Sequence, residues 1–145
     1  MAKKLKNKKQ ELTLAQQVFA MTKYPQIHAS VKRQRQVVWR GPWQPSDMSA
    51  TYELRIMYAQ GFRPKIEITH PILTLATGQE HLPHTYDDGQ KDICVHEPRD
   101  WNSNLLIADT IMPWISQWLY FYEIWVVTGK WFGKGTHPKL NRHAT

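Results

Sequence analysis

The sequence predicts an α+β domain: an N-terminal helix, an antiparallel meander of three to four strands, a cysteine-bearing loop, and a long C-terminal helix packed on the sheet. Three observations carry that expectation. Residues 51–58, TYELRIMY, alternate, with Tyr52, Leu54, Ile56 and Tyr58 on one face of a strand. Leu105, Leu106, Ile111, Trp114, Ile115, Trp118, Leu119, Tyr122 and Trp125 recur at helical spacing and form a broad apolar face. Between these segments, residues 78–101 show almost no periodicity, the mark of a long loop with a task of its own.

The elements follow in order. Residues 1–10 are lysine- and asparagine-rich and read as a flexible basic tail. Thr13, followed three residues later by Gln16, fits a capping box. Leu14, Val18 and Met21 then supply one apolar stripe, and Pro25 stops the helix. Residues 36–43 read as a strand through Val37, Val38 and Trp39, and GPWQPSD turns the chain. After TYELRIMY and the turn AQGFRP, KIEIT places Ile66 and Ile68 on one face, and ILTLA is a candidate fourth strand. Asn102 or Ser103 is positioned to cap the last helix, Pro113 predicts a kink or a break in it, and Gly129 ends it. The expected organisation is a basic tail over 1–10, a domain over 11–129 and a basic C-terminal tail over 130–145.

Charge is distributed unevenly along the 145 residues, whose formal net charge is +7. Nine cations lie in the two end segments, leaving ten Lys and Arg against twelve Asp and Glu over residues 10–129. The basic balance therefore describes the tails and not a basic domain face, which argues against nucleic acid as the partner. A single cysteine excludes an internal disulfide and suits a reducing compartment. The lysine run is not followed by an apolar h-region, and the most apolar stretch, 111–127, contains Gln117 and Glu123. These features predict a cytoplasmic protein without a membrane partner.

Residue types alone leave three readings of Cys94 open. His81 and His84 with Cys94 and His96 offer four zinc ligands at irregular spacing. The apolar run ICV around the thiol reads equally as core filler. The third reading is a carrier thiol that attacks an activated carboxyl group, holds it as a thioester and yields it to an amine. Asp87, Asp88 and Asp92 raise the thiol pKa in that setting, while Lys91 and a charged His96 lower it.

The stretch His84-Thr85-Tyr86, Asp87-Asp88-Gly89, Ile93-Cys94-Val95, then Trp101-Asn102-Ser103-Asn104-Leu105 resembles the active-site segment of the ubiquitin-conjugating enzymes. That segment runs His-Pro-Asn, a turn with Gly, Ile-Cys-Leu, then Trp before a helix. His84 stands ten residues before Cys94 and Trp101 seven after it. GFRPKIEITHPI is similar to the family's aromatic-Pro-Pro-Lys strand start, and the likeness covers roughly residues 13–128. It departs at Thr85 and Tyr86, which replace the Pro and Asn, and the family's two further C-terminal helices have no counterpart.

The resemblance implies a ubiquitin-conjugating-enzyme-like fold with Cys94 as thioester nucleophile. It makes Tyr86 an oxyanion or loop-ordering donor, His84 a brace for the loop, and His96 a proton-transfer group. Asp87, Asp88 and Asp92 either orient an incoming lysine or form a solvated acidic turn, and Trp101 is a hydrophobic bolt under the loop. No cofactor and no metal are implied. Together with PWISQWLYFYEIWVVTGKWFGKGTHP, the departures resemble bacterial relatives found in cyclic-oligonucleotide-based antiphage signalling systems (CBASS). There the implied partner is the cyclic-nucleotide synthase (CD-NTase), whose C-terminus is carried as a thioester, with or without a separate activating enzyme. The alternatives are another bacterial ubiquitin-like pathway, with the C-terminus of a ubiquitin-like protein as cargo, or a non-catalytic scaffold. The aromatics of GKWFGKG are either a contact surface or a tail folded back on the core.

Overall fold

In the computed structural model the chain is described over residues 11–33, 35–86 and 92–133. Residues 1–10, 34, 87–91 and 134–145 lie outside these. Helix α1, Leu14–Met21, begins on the capping box expected: the Thr13 hydroxyl accepts the Gln16 N–H, and the Gln16 side chain accepts the Thr13 N–H. Strands β1 (His28–Lys32), β2 (Gln36–Trp43), β3 (Tyr52–Ala59) and β4 (Lys65–His70) form one antiparallel sheet in that order. Helix α2, Ile111–Thr128, closes the fold. No helix among the described residues is long and apolar enough to cross a membrane.

The sheet register stacks the inward residues into layers. Trp39 pairs with Ile56 and Ile56 with Ile66, while Leu54 opposes Gly41 on one side and Ile68 on the other. Over this face α2 buries Ile111, Met112, Ile115, Trp118, Leu119, Tyr122 and Trp125, forming one core with the strands. Polar contacts fix its position. The Trp43 indole donates to Ser116 Oγ at 2.8 Å, and Glu123 accepts from Ser49 Oγ, the Ala50 N–H and the Tyr52 hydroxyl. Burial and that carboxylate hold Tyr52 well above the ordinary phenol range.

Three sequence expectations are corrected. The fourth strand is β1, not ILTLA. All five residues of β1 are exposed, so its sequence carries no burial alternation. Residues 72–76 form no strand, and the Thr74 N–H donates instead to the Tyr122 hydroxyl at 2.8 Å. Pro113 neither kinks nor breaks α2. It is the third residue of the helix, where the missing N–H has no intrahelical acceptor to lose. Neither Asn102 nor Ser103 caps α2: Asn102 Oδ1 accepts the Asn104 N–H in a turn, Ser103 Oγ accepts from the Tyr58 hydroxyl, and a 3₁₀ turn at Ile107–Asp109 leads into α2 at Thr110. Gly129 does end α2, in the left-handed conformation at φ 76°, with its N–H on Trp125 O.

Gln17 joins α1 to the rest, and periodicity gave no sign of it. It is fully buried, its Nε2 donating to Leu105 O and its Oε1 accepting the Ile107 N–H, each at 2.9 Å. A buried amide satisfied at both ends thus holds the connector from which α2 starts. Gly41 marks another tight junction. A Cβ there would strike the Gln26 carbonyl oxygen and press on Ile27. Gly41→Ala is accordingly expected to destabilise the fold by about 1–3 kcal/mol, read as a lower urea midpoint with unchanged slope.

Candidate functional site

The cysteine segment is built as an extension of β4. The Ile93 N–H donates to Ile66 O at 3.0 Å, and Asp92 bridges Glu67. The preceding arm pairs with it in turn: Thr85 bridges Ile93, the Tyr86 N–H donates to Asp92 O, and the Cys94 N–H donates to His84 O, the last two at 2.8 Å. Cys94 therefore sits on rigid backbone anchored to the sheet, although it lies in a region without sequence periodicity.

His84 is the corner of this arrangement. It adopts φ 53°, a region unfavourable for a residue with a Cβ, and is buried. Its carbonyl accepts both the Cys94 N–H and, at 3.2 Å, the Trp118 indole N–H from α2. The ring packs 5.0 Å from that of Trp131. Its backbone thus ties the loop to α2.

The Cys94 side chain lines a cleft of about 470 Å3 between this loop, α2 and residues 131–132. Trp114, Phe121 and Trp131 supply aromatic walls, and His96, Glu97 and Asp100 supply polar ones. The residue is 8% exposed, and its thiol donates to His96 O at 3.2 Å. Burial pushes the thiol pKa up, and Tyr86, the His96 backbone and Arg63 pull it partway back. At neutral pH the resting form is the thiol, and charge at the sulfur is stabilised by few, specific neighbours.

Tyr86 is the most distinctive of these. Its hydroxyl is buried and makes no hydrogen bond of ordinary geometry among the described residues. Burial and the neighbouring Cys94 both raise its pKa, while Tyr86 in turn lowers that of Cys94. Those opposite signs mark the phenol and the thiol as interacting neighbours. Arg63 lies on the other side of the ring, its guanidinium carbon 3.6 Å from the centroid, and pairs with Asp92 through contacts of 2.6 and 3.2 Å. Asp92 is 3% exposed. It is thus a buried ion-pair partner, neither a solvated acid nor one presented to an incoming lysine. Asp87, Asp88 and Lys91 lie outside the described residues.

His96 is held close to the thiol by backbone and stacking. Its Nδ1 is 2.6 Å from Glu97 O, so that nitrogen carries the proton and Nε2 keeps its lone pair. The ring lies 5.7 Å from Trp114 and 6.4 Å from Trp101. Burial lowers its pKa, leaving a neutral imidazole at pH 7. Trp101 is buried beneath, edge-on to Tyr58, with its indole N–H on Thr110 Oγ1 at 3.0 Å.

The structure thus brings Cys94, His84, Tyr86, His96 and Trp101 together, and leaves His81 exposed away from them. Among the described residues no three His, Cys, Asp or Glu side chains converge as a metal-binding group. Sequence reasoning missed Arg63, 29 residues from its partner Asp92, and the acids Glu97 and Asp100 on the cleft wall. No local spacing marks any of them. GKWFGKG divides between its two readings: Trp131 folds back on Trp118 and His84, while Phe132 is 60% exposed.

Compared with known families, residues 16–138 match the model described as Type II CBASS E2 protein. No curated protein matches the chain.

Proposed function

The chain belongs to the type II CBASS E2 family, and from that premise we propose that Cys94 is the nucleophile of a conjugating enzyme acting in antiphage signalling. Its thiol gives up its proton to solvent, and the sulfur attacks the activated C-terminal carboxyl group of a partner protein. A C–S bond forms, and the activating group leaves with the electron pair of its bond to carbon. An amine then attacks the thioester carbonyl, a C–N bond forms, and the thiolate departs. The CBASS assignment favours the operon's cyclic-nucleotide synthase as the carried partner, over cargo from another ubiquitin-like pathway.

The observation that carries the reading is the buried, unpartnered Tyr86 hydroxyl beside the only cysteine, where a thioester carbonyl would develop negative charge. His96 Nε2, with its lone pair retained on a neutral ring, suits the removal of a proton from the attacking amine. His84 supports the loop through its carbonyl. The aromatic cleft receives the residues preceding the carboxyl group.

Intact mass spectrometry of the chain incubated with its synthase and the activating factor tests this. An adduct of the partner's mass less one water, released by thiol reductant, is the expected product. A stable complex and normal priming of the synthase with no such adduct would instead make the protein a scaffold. Tyr86→Phe is expected to slow transfer to amine about a hundredfold while leaving the thermal midpoint nearly unchanged, because it deletes a hydroxyl that makes no hydrogen bond among the described residues. Transfer at the parental rate would reduce Tyr86 to a packing residue.

A further inference from the structure

Tyr86 and Asp92 are the described residues on either side of 87–91, and one side chain from elsewhere reaches both. Arg63 comes from the turn between β3 and β4. It holds its guanidinium carbon over the Tyr86 ring, 3.6 Å from the centroid, and forks onto both Asp92 oxygens. The backbones of the same two residues are joined by the Tyr86 N–H to Asp92 O bond at 2.8 Å. Backbone and side chains thus form two parallel ties, and Cys94 follows two residues after Asp92.

We propose that Arg63 is a positioning residue of the Cys94 site, which clamps Tyr86 against Asp92 and so aims the Tyr86 hydroxyl at the sulfur. The proposal rests on the reading of Cys94 as nucleophile. Only arginine among the cations has a planar fork that grips a carboxylate while stacking on an aromatic face. The clamp also explains why Asp92 can stay buried and charged next to a thiol: its charge is spent on Arg63. With the clamp in place, the cation and the phenol O–H both favour the thiolate against the burial that opposes it.

The ionisable groups around the sulfur are Arg63, Tyr86 and Asp92 on the sheet side and His84, His96, Glu97 and Asp100 on the cleft side. The α2 and 131–132 walls of the cleft contribute aromatic and amide side chains and no charge. Loss of the clamp therefore removes stabilisation of the thiolate that no other cation among the described residues replaces.

The test is alkylation of the full chain by iodoacetamide as a function of pH. The single cysteine means that the thiol reaction reports on Cys94 alone. Arg63→Gln is expected to move the midpoint up by about one pH unit, a roughly tenfold slower reaction below it. Arg63→Lys, which keeps the charge and loses the flat fork, is expected to fall between this variant and the parent. Should Arg63→Gln fail to fold because the buried Asp92 loses its cation, Arg63→Gln with Asp92→Asn offers a neutral amide pair, and a smaller rise is expected. A midpoint that stays in place or falls in the folded variant overturns the proposal, because a merely structural loss opens the loop and relieves the burial that holds the thiol up. Alkylation needs neither partner nor amine. A shifted midpoint without any thioester in the parent protein would sink the conjugation reading and leave the clamp standing.

Discussion

Replacing Cys94 by serine is expected to convert a reductant-labile adduct into a reductant-resistant one, and replacing it by alanine to remove the adduct altogether. Serine keeps the attacking geometry and forms an oxyester, which thiols do not cleave and amines attack slowly. Alanine leaves no nucleophile, and the sequence contains no second cysteine to take its place. Both substitutions are small at a site whose sulfur donates a single weak hydrogen bond to the His96 carbonyl among the described residues, so folding should survive. The measurement is a denaturing gel with and without reductant, followed by mapping of the linked residue. An unchanged adduct in Cys94→Ala would move the chemistry away from this thiol.

Trp101→Ala is expected to cost about 3–5 kcal/mol, lowering the thermal midpoint by about 10–20 °C. The indole is buried, packs edge-on against Tyr58 from the sheet and lies beside the His96 ring, so its removal leaves a cavity directly under the Cys94 loop. Adduct formation should fall about tenfold even well below the midpoint, because a displaced nucleophile loses the benefit of alignment. Trp101→Phe separates the two contributions. It keeps a ring in the core and deletes the hydrogen bond to Thr110, whose hydroxyl still donates to Leu106 O. A cost of about 1 kcal/mol is expected, with adduct formation mostly retained. Full activity in a folded Trp101→Ala would show that the loop does not depend on this support.

Features confined to one element could be read from the residues. Thr13 and Gln16 announced the start of α1, and Gly129 the end of α2, because a cap is a bond among residues a few positions apart. The alternation of Tyr52, Leu54, Ile56 and Tyr58 named the inward face of β3, since a half-buried strand must alternate. Where burial does not alternate the reading failed: β1 is exposed throughout, and α2 starts later than its apolar pattern because Leu105 and Leu106 are part of the connector held by Gln17.

The same division runs through the site. The spacing of His84, Cys94 and Trp101 was visible in the chain because it belongs to one continuous loop. The sequence by itself therefore determined the α+β class, the inward faces of β3 and β4 and the cysteine proposed here as nucleophile. Only the tertiary structure decided what surrounds that residue: Arg63 over the Tyr86 ring, Asp92 buried as its partner, a buried phenol hydroxyl, and Trp131 closing the cleft wall. Those relations join segments separated by tens of residues. Hydrophobic period and local caps carry no distance across a sheet, whereas the balance of burial, charge and stacking that sets the thiol's ionisation arises only once the sheet, the loop and α2 are packed together.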